Sequence, residues 1–197
     1  MQGPDSPRSR TAGLILAAGL GTRFGGRKLL TRIDGQPMLQ HVLDLAADVE
    51  LVRVVVVLGT DADELRSACR WRDEWLVFNR EPELGLSTSV RLGLAAVSAS
   101  HADRVVVLLG DQPFLSPEQL NVILATPGQI VVPRFNDEPG NPVVLGRSVW
   151  PLASKLDGDR GFSQIFSALP NLVSYVDVPG KNPDIDTTTD LDAVSRA

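Results

Sequence analysis

Residues 14–30 read LILAAGLGTRFGGRKLL, an apolar run that enters a loop with four glycines and three cations and then returns to leucines. Gly19, Gly21, Gly25 and Gly26 let the backbone take positive φ and bring N–H groups close to an anion with no Cβ in the way. Arg23, Arg27 and Lys28 add full charges, Arg as a bidentate fork and Lys as a point charge. Such a loop suits a polyanion. Two better-known glycine loops do not fit. A P-loop needs Gly-Lys followed by Ser or Thr, and here Arg27 precedes Lys28 and Leu29 follows it. The dinucleotide fingerprint matches only at Gly19 and Gly21, with Phe24 in place of the third glycine. The next helical pattern also begins about seventeen residues beyond the strand, near Gln36, whereas the dinucleotide turn enters its helix at once. A long loop of this kind is either a ligand wrap or a surface loop without ligand.

Outward from this loop the chain alternates. Residues 11–18 read as a buried strand, 36–47 as an amphipathic helix, 51–58 as a second strand, and 62–70 as a helix capped by Asp61. A third strand at 75–78, a helix at 87–97 and a fourth strand at 104–109 follow. Ser116 and Pro117 open a helix to residue 124. Strands at 129–133 and 142–145 flank the turn-rich RFNDEPGN. Two shorter helices, a strand at 172–176 and a helix after Asp186 complete the chain. Near-continuously apolar strands alternating with helices predict an α/β fold: one three-layer α/β/α domain around a mostly parallel, twisted sheet.

The length of 197 residues and 43% hydrophobic composition fit a single domain over 11–197, behind a loose polar tail at 1–10 that lacks the apolar core of a secretion signal. A single cysteine, Cys69, rules out an intramolecular disulfide and argues against a cysteine-based zinc site. No run is long enough to span a membrane, and the cytoplasm is the expected compartment. The net charge of −5 argues against nucleic acid as a partner.

Gly110-Asp111-Gln112-Pro113 leaves the fourth strand at its carboxyl end, as the glycine loop leaves the first, so Asp111 and the loop should share one rim. A carboxylate facing bound phosphates needs a hard cation between them, which points to Mg²⁺, with Mn²⁺ an alternative. Asp184-Ile185-Asp186-Thr187 offers a second carboxylate. Asp186 can serve as that ligand or as a helix cap. Ser87 reads equally as a cap at the start of its helix. His41 and His101 have no partner pattern that suggests catalysis.

AAGLGTRFGGRKLL is similar to the LAAGxSxRMGxxK signature of nucleotidyltransferases with a type A glycosyltransferase-like fold. Within them the chain resembles the molybdenum cofactor cytidylyltransferase branch, over about residues 11–197. Residues 83–89, ELGLSTS, resemble that family's EGMSSSL, and 184–191, DIDTTTDL, its DIDTPEDL. The resemblance implies CTP and molybdopterin as substrates, a nucleotide-binding part at 11–115 and an acceptor-binding part at 116–197. It assigns the nucleotide to Leu16, Ala17, Ala18, Gly19, Gly21, Thr22, Arg23, Lys28, Asn79, Gly85, Ser87, Ser89 and Asp111. Catalysis falls to Lys28, Arg23 and Asp111, and the metal to Asp111 and Asp186. Gln112, Arg134, Asn141 and Arg160 face the acceptor, although Asn141 departs from the family's Gly-His-Pro. A molybdoenzyme or its chaperone is the implied transient partner. The cytosine reading rests on Gly110-Asp111-Gln112-Pro113 and the LAAG form of the loop, since the side chains do not name the base. A GTP-dependent guanylyltransferase, a sugar- or polyol-phosphate nucleotidyltransferase and a non-catalytic cofactor carrier are the alternatives.

Overall fold

Residues 11–17 are buried without exception and form the central strand β1 (Thr11–Ala17). The computed structural model describes residues 10–21, 24–156, 158, 162–187 and 189–190. After β1 the chain makes a 3₁₀ turn at Lys28–Leu30, a small hairpin of β2 (Arg32–Ile33) and β3 (Gln36–Pro37), and α1 (Met38–Ala47). Then come β4 (Val54–Leu58), α2 (Ala62–Ala68), β5 (Trp75–Phe78), α3 (Leu86–Ser98) and β6 (Arg104–Leu109). The remainder holds α4 (Pro117–Ala125), β7 (Ile130–Phe135), β8 (Glu138–Pro139), β9 (Val143–Gly146), α5 (Ser163–Ala168) and β10 (Val173–Asp177).

The main sheet runs β10-β7-β9-β6-β1-β4-β5, with β8 hairpinned onto β7. β1, β4, β5 and β6 are parallel, β7 and β10 pair in parallel, and β9 runs antiparallel between β6 and β7. The expected fold class is therefore present, as a mostly parallel mixed sheet. Alternation along β1 divides the core. Ile15 and Ala17 face Leu39 and Val42 of α1 and Leu120 and Ile123 of α4 on one side. Leu14 and Leu16 face Val90 and Leu94 of α3 on the other, together with Trp150. A helix layer on each face is what keeps parallel strands apolar throughout.

Element bounds depart from the sequence reading at identifiable places. The helix expected from residue 36 starts at Met38, because Asp34 (φ 48) and Gly35 (φ 82) form a hairpin turn that pairs Gln36 with Ile33. An Asp-Gly pair with both φ positive is the tight-hairpin signal. Asn136 (φ 52) and Asp137 (φ 67) do the same for β7 and β8, which carries β7 on to Phe135. The strand expected from residue 51 begins at Val54. Asp61 stands at the start of α2 but its side chain makes no cap bond there. Ser116 behaves as expected, in a reciprocal capping box with Gln119. The helix expected after Asp186 is described only at residues 189–190, and the rest of it lies outside the described residues.

Candidate functional site

β1 and β6 pair in register, with Leu16 opposite Leu109, so both loops leave the sheet at one rim. Gly110 continues the pairing by donating its N–H to the Leu16 carbonyl at 2.9 Å. A Cβ there would stand 3.2 Å from that oxygen, and glycine lets the turn stay close to β1. Asp111 is thereby raised beside the glycine loop.

The loop itself is shaped around Lys28. Gly21 has φ 57, and its carbonyl accepts the N–H groups of Phe24 (2.9 Å) and Gly26 (3.0 Å). A Cβ on Gly21 would lie 3.0 Å from the Lys28 Cβ, so both conformation and space call for glycine. The turn brings Lys28 inward, where its side chain is only 10% exposed. Its Nζ donates to Asp111 Oδ2 at 2.7 Å and to Asp186 Oδ1 at 2.8 Å. Burial by itself would lower the Lys28 pKa; the hydrogen bonds and charges of Asp111 and Asp186 outweigh it, and the net direction is upward. Lys28 is an ammonium at neutral pH.

Asp186 was open to two roles, and the cap is supplied by its neighbours. Asp190 Oδ2 accepts the Thr187 N–H at 2.7 Å, and Thr187 Oγ1 accepts the Asp190 N–H at 3.2 Å. This reciprocal pair leaves the Asp186 carboxylate for Lys28. Hydrogen bonds of Ile185 and Gln112 tie the segment that carries Asp186 to the β6 turn. Ile185, fully buried, donates its N–H to the Asp111 carbonyl at 3.2 Å. Gln112, buried, donates Nε2 to Asp184 Oδ1 at 2.7 Å and accepts Asn182 Nδ2 at 2.9 Å. Crowding by protein atoms and the charge of Asp111 raise the Asp184 pKa.

Around Lys28 lies a cleft of about 430 Å³ between the glycine loop and the start of α3, the size of a small-ligand site. Among the described residues that line it, Lys28 is cationic and Asp111, Asp186 and Glu83 are acidic. Two carboxylates beside the Lys28 ammonium would repel a phosphate chain unless a cation lies between them. Asp111 and Asp186 are the hard oxygen donors that a divalent ion takes.

A model of the MobA-like NTP transferase domain matches residues 13–178. The chain belongs to that family. It is similar to the bifunctional protein GlmU of Sphingopyxis alaskensis, 36% identical over 156 residues, which are 76% of the chain and 32% of that protein. The chain thus spans about a third of that relative's length. Among solved structures it is similar to an Rv0371c homologue from Mycobacterium sp. strain JC1, with TM-score 0.87 and 28% identity over 95% of this chain and 96% of that one. It is also similar to Rv0371c of Mycobacterium tuberculosis H37Rv in complex with manganese, with TM-score 0.79 and 28% identity over 95% and 99% of the two chains.

In this NTP transferase domain, Leu16, Ala18, Gly19, Gly21, Lys28, Gly85, Ser89, Asp111 and Asp186 line the cleft as the sequence reading grouped them. Other members of that reading sit elsewhere. Ala17 faces the α1 side of the core. Asn79 is buried behind the wall, donating to Thr88 Oγ1 at 2.8 Å and Ser89 Oγ at 2.9 Å. Ser89 accepts there and lines the cleft. Ser87 is not a cap: Gly85, at φ 97, opens α3, and Ser87 is buried in the first turn. Arg27 turns outward to Glu64 of α2, 3.3 Å away. Arg134 stands at the end of β7, 2.9 Å from Asp177 and over the Tyr175 ring, and is absent from the cleft wall. Asn141 accepts Asn182 Nδ2 through its carbonyl at 2.8 Å. Thr22, Arg23 and Arg160 lie outside the described residues. The sequence reading gave no site role to Leu20, Phe24 or Leu109, whereas Glu83 and Leu86 lie in the 83–89 run that it set against the family's EGMSSSL. Leu109 had a signal, since it pairs with Leu16 at the strand ends.

Proposed function

We propose that the chain transfers CMP from CTP to the terminal phosphate of molybdopterin, or of its molybdenum-loaded form, releasing pyrophosphate. The observation that carries the nucleotidyl-transfer part is Lys28 held between Asp111 and Asp186 at the floor of a glycine-walled cleft. The glycine loop receives the triphosphate through backbone N–H groups and the α3 start adds the positive end of its dipole. A divalent ion held by Asp111 and Asp186, Mg²⁺ or Mn²⁺, neutralises phosphate charge when bound. The manganese complex of the Rv0371c relative supports a divalent ion as a companion of this reaction.

No general base is required, because the acceptor phosphate is already ionised at neutral pH. An acceptor oxygen bonds to the α-phosphorus, the α-phosphorus bond to the bridging oxygen breaks, and the electron pair leaves with pyrophosphate. The protein's work is to hold the two phosphates in line and to stabilise charge on the leaving group. Lys28 is the described side chain suited to that second task, and moving to phosphate frees its two carboxylates for the metal. Gly110-Asp111-Gln112-Pro113 and the LAAG loop support cytosine and the pterin acceptor, by resemblance. A sugar- or polyol-phosphate acceptor is the second reading, because such nucleotidyl transfer would use the same glycine loop and carboxylate pair.

The test is product analysis. Protein, CTP, divalent metal and purified molybdopterin should yield a pterin whose mass has increased by CMP. A sugar phosphate converted in its place would select the second reading. Absence of any nucleotidyl product with either acceptor would reject both.

A further inference from the structure

Asp111 and Asp186 come from segments far apart in the chain, yet their oxygens meet one ammonium at 2.7 and 2.8 Å. Something has to fix that spacing, and Gln112 is placed to do so. It is 6% exposed and follows Asp111 directly. Its amide nitrogen donates to Asp184 Oδ1 at 2.7 Å and to the Asn182 carbonyl at 3.3 Å, and its amide oxygen accepts Asn182 Nδ2 at 2.9 Å. Asn182 donates in turn to the Asn141 carbonyl at 2.8 Å, just before β9.

We propose that Gln112 is a positioning residue, whose amide clasps the 182–184 segment and sets the distance between the carboxylates of Asp111 and Asp186. This departs from an acceptor-contacting role and rests on the reading of those carboxylates as metal ligands. An amide suits the position because it offers donor and acceptor from one planar group. Glutamate would set a negative charge against Asp184, and a shorter or apolar side chain would leave the Asn182 amide and Asp184 carboxylate unmatched. The segment would keep its Ile185–Asp111 backbone bond, the burial of Ile185, the Asn182–Asn141 bond and the Lys28–Asp186 pair, and would lose the clasp to the residue beside Asp111. Partners that orient metal ligands typically account for ~10–100-fold in metal affinity.

The test is Mn²⁺ titration of the nucleotide-free full chain, read by electron paramagnetic resonance, with melting curves alongside. Gln112→Ala should weaken Mn²⁺ binding by about ten-fold or more. Asn182→Ala, which opens the clasp from its other side, should shift it in the same direction. The double variant should be no weaker than the worse single one, because both remove one interaction. Folded variants that keep wild-type Mn²⁺ affinity would overturn the proposal. Loss of the fold in both would assign the network to stability and overturn it as well. Wild-type protein that binds no Mn²⁺ would reject the metal reading underneath, an outcome separate from failure of the clasp.

Discussion

Lys28 is where charge, space and chemistry converge on one side chain, so its replacement should have two opposite effects. Lys28→Met removes the cation that the proposed mechanism sets against the leaving group, and pyrophosphate release should fall roughly 10²–10³-fold, the range for loss of a transition-state donor. The same change frees Asp111 and Asp186, so the nucleotide-free variant should bind Mn²⁺ more tightly than wild type in a calorimetric titration. Weaker binding would mean that the carboxylates are not the ligands. Gly21→Ala should reach a similar end indirectly. Its positive φ and the 3.0 Å approach to the Lys28 Cβ leave no relaxed place for a methyl group. Activity should drop while the chain stays folded by circular dichroism. Cys69 belongs to another part of the molecule. Burial, the larger effect, pushes its thiol up from 9.0 to about 11, with Arg70 opposing and Asp44 reinforcing. Native protein should therefore react slowly with a thiol probe at pH 8 and quickly once unfolded. Between about pH 9 and about 11 the unfolded chain releases this proton while the fold retains it, so the Cys69 contribution to stability declines as pH rises.

At the scale of elements, α3 carries the closest packing. Gly93 faces β1 and β4, where a Cβ would meet Leu14 Cδ1 at 2.3 Å and Val57 Cγ2 at 3.1 Å. Gly93→Ala should cost ~1–3 kcal/mol in urea unfolding, the range for overpacking, and should also displace the α3 start from the cleft. An unchanged urea midpoint would show that α3 has room to shift. The strands were legible in the sequence because burial on both faces leaves apolar runs that survive as a pattern. The Ser116 cap was legible because its Gln119 partner is local. Asp61 carried the same local signal and formed no cap bond. The two small hairpins at Asp34-Gly35 and Asn136-Asp137 were written in turn chemistry, but a longer helical period masked the first and a run of turn formers masked the second.

Across the whole molecule, the shared rim followed from strand-end logic alone, and β6 does place Asp111 beside the glycine loop. The partners of Lys28 lie 83 and 158 residues away in sequence, so periodicity carried no record of either ion pair. Asp186 could be weighed as ligand or cap, and the Thr187–Asp190 pair takes the cap while the Asp186 carboxylate meets Lys28. Asn79, Ser87 and Arg134 were assigned by resemblance to the ligand, whereas tertiary packing directs them to the protein itself. Among the described residues the cleft carries more carboxylates than cations, and the proposed chemistry therefore calls for a cation. The most direct measurement is therefore pyrophosphate release by the full chain with CTP, GTP, UTP or ATP, each with purified molybdopterin, in the presence and absence of Mg²⁺. The account predicts release with CTP above the other three and none without the metal. Release with no nucleotide, or undiminished release in chelator, would contradict it.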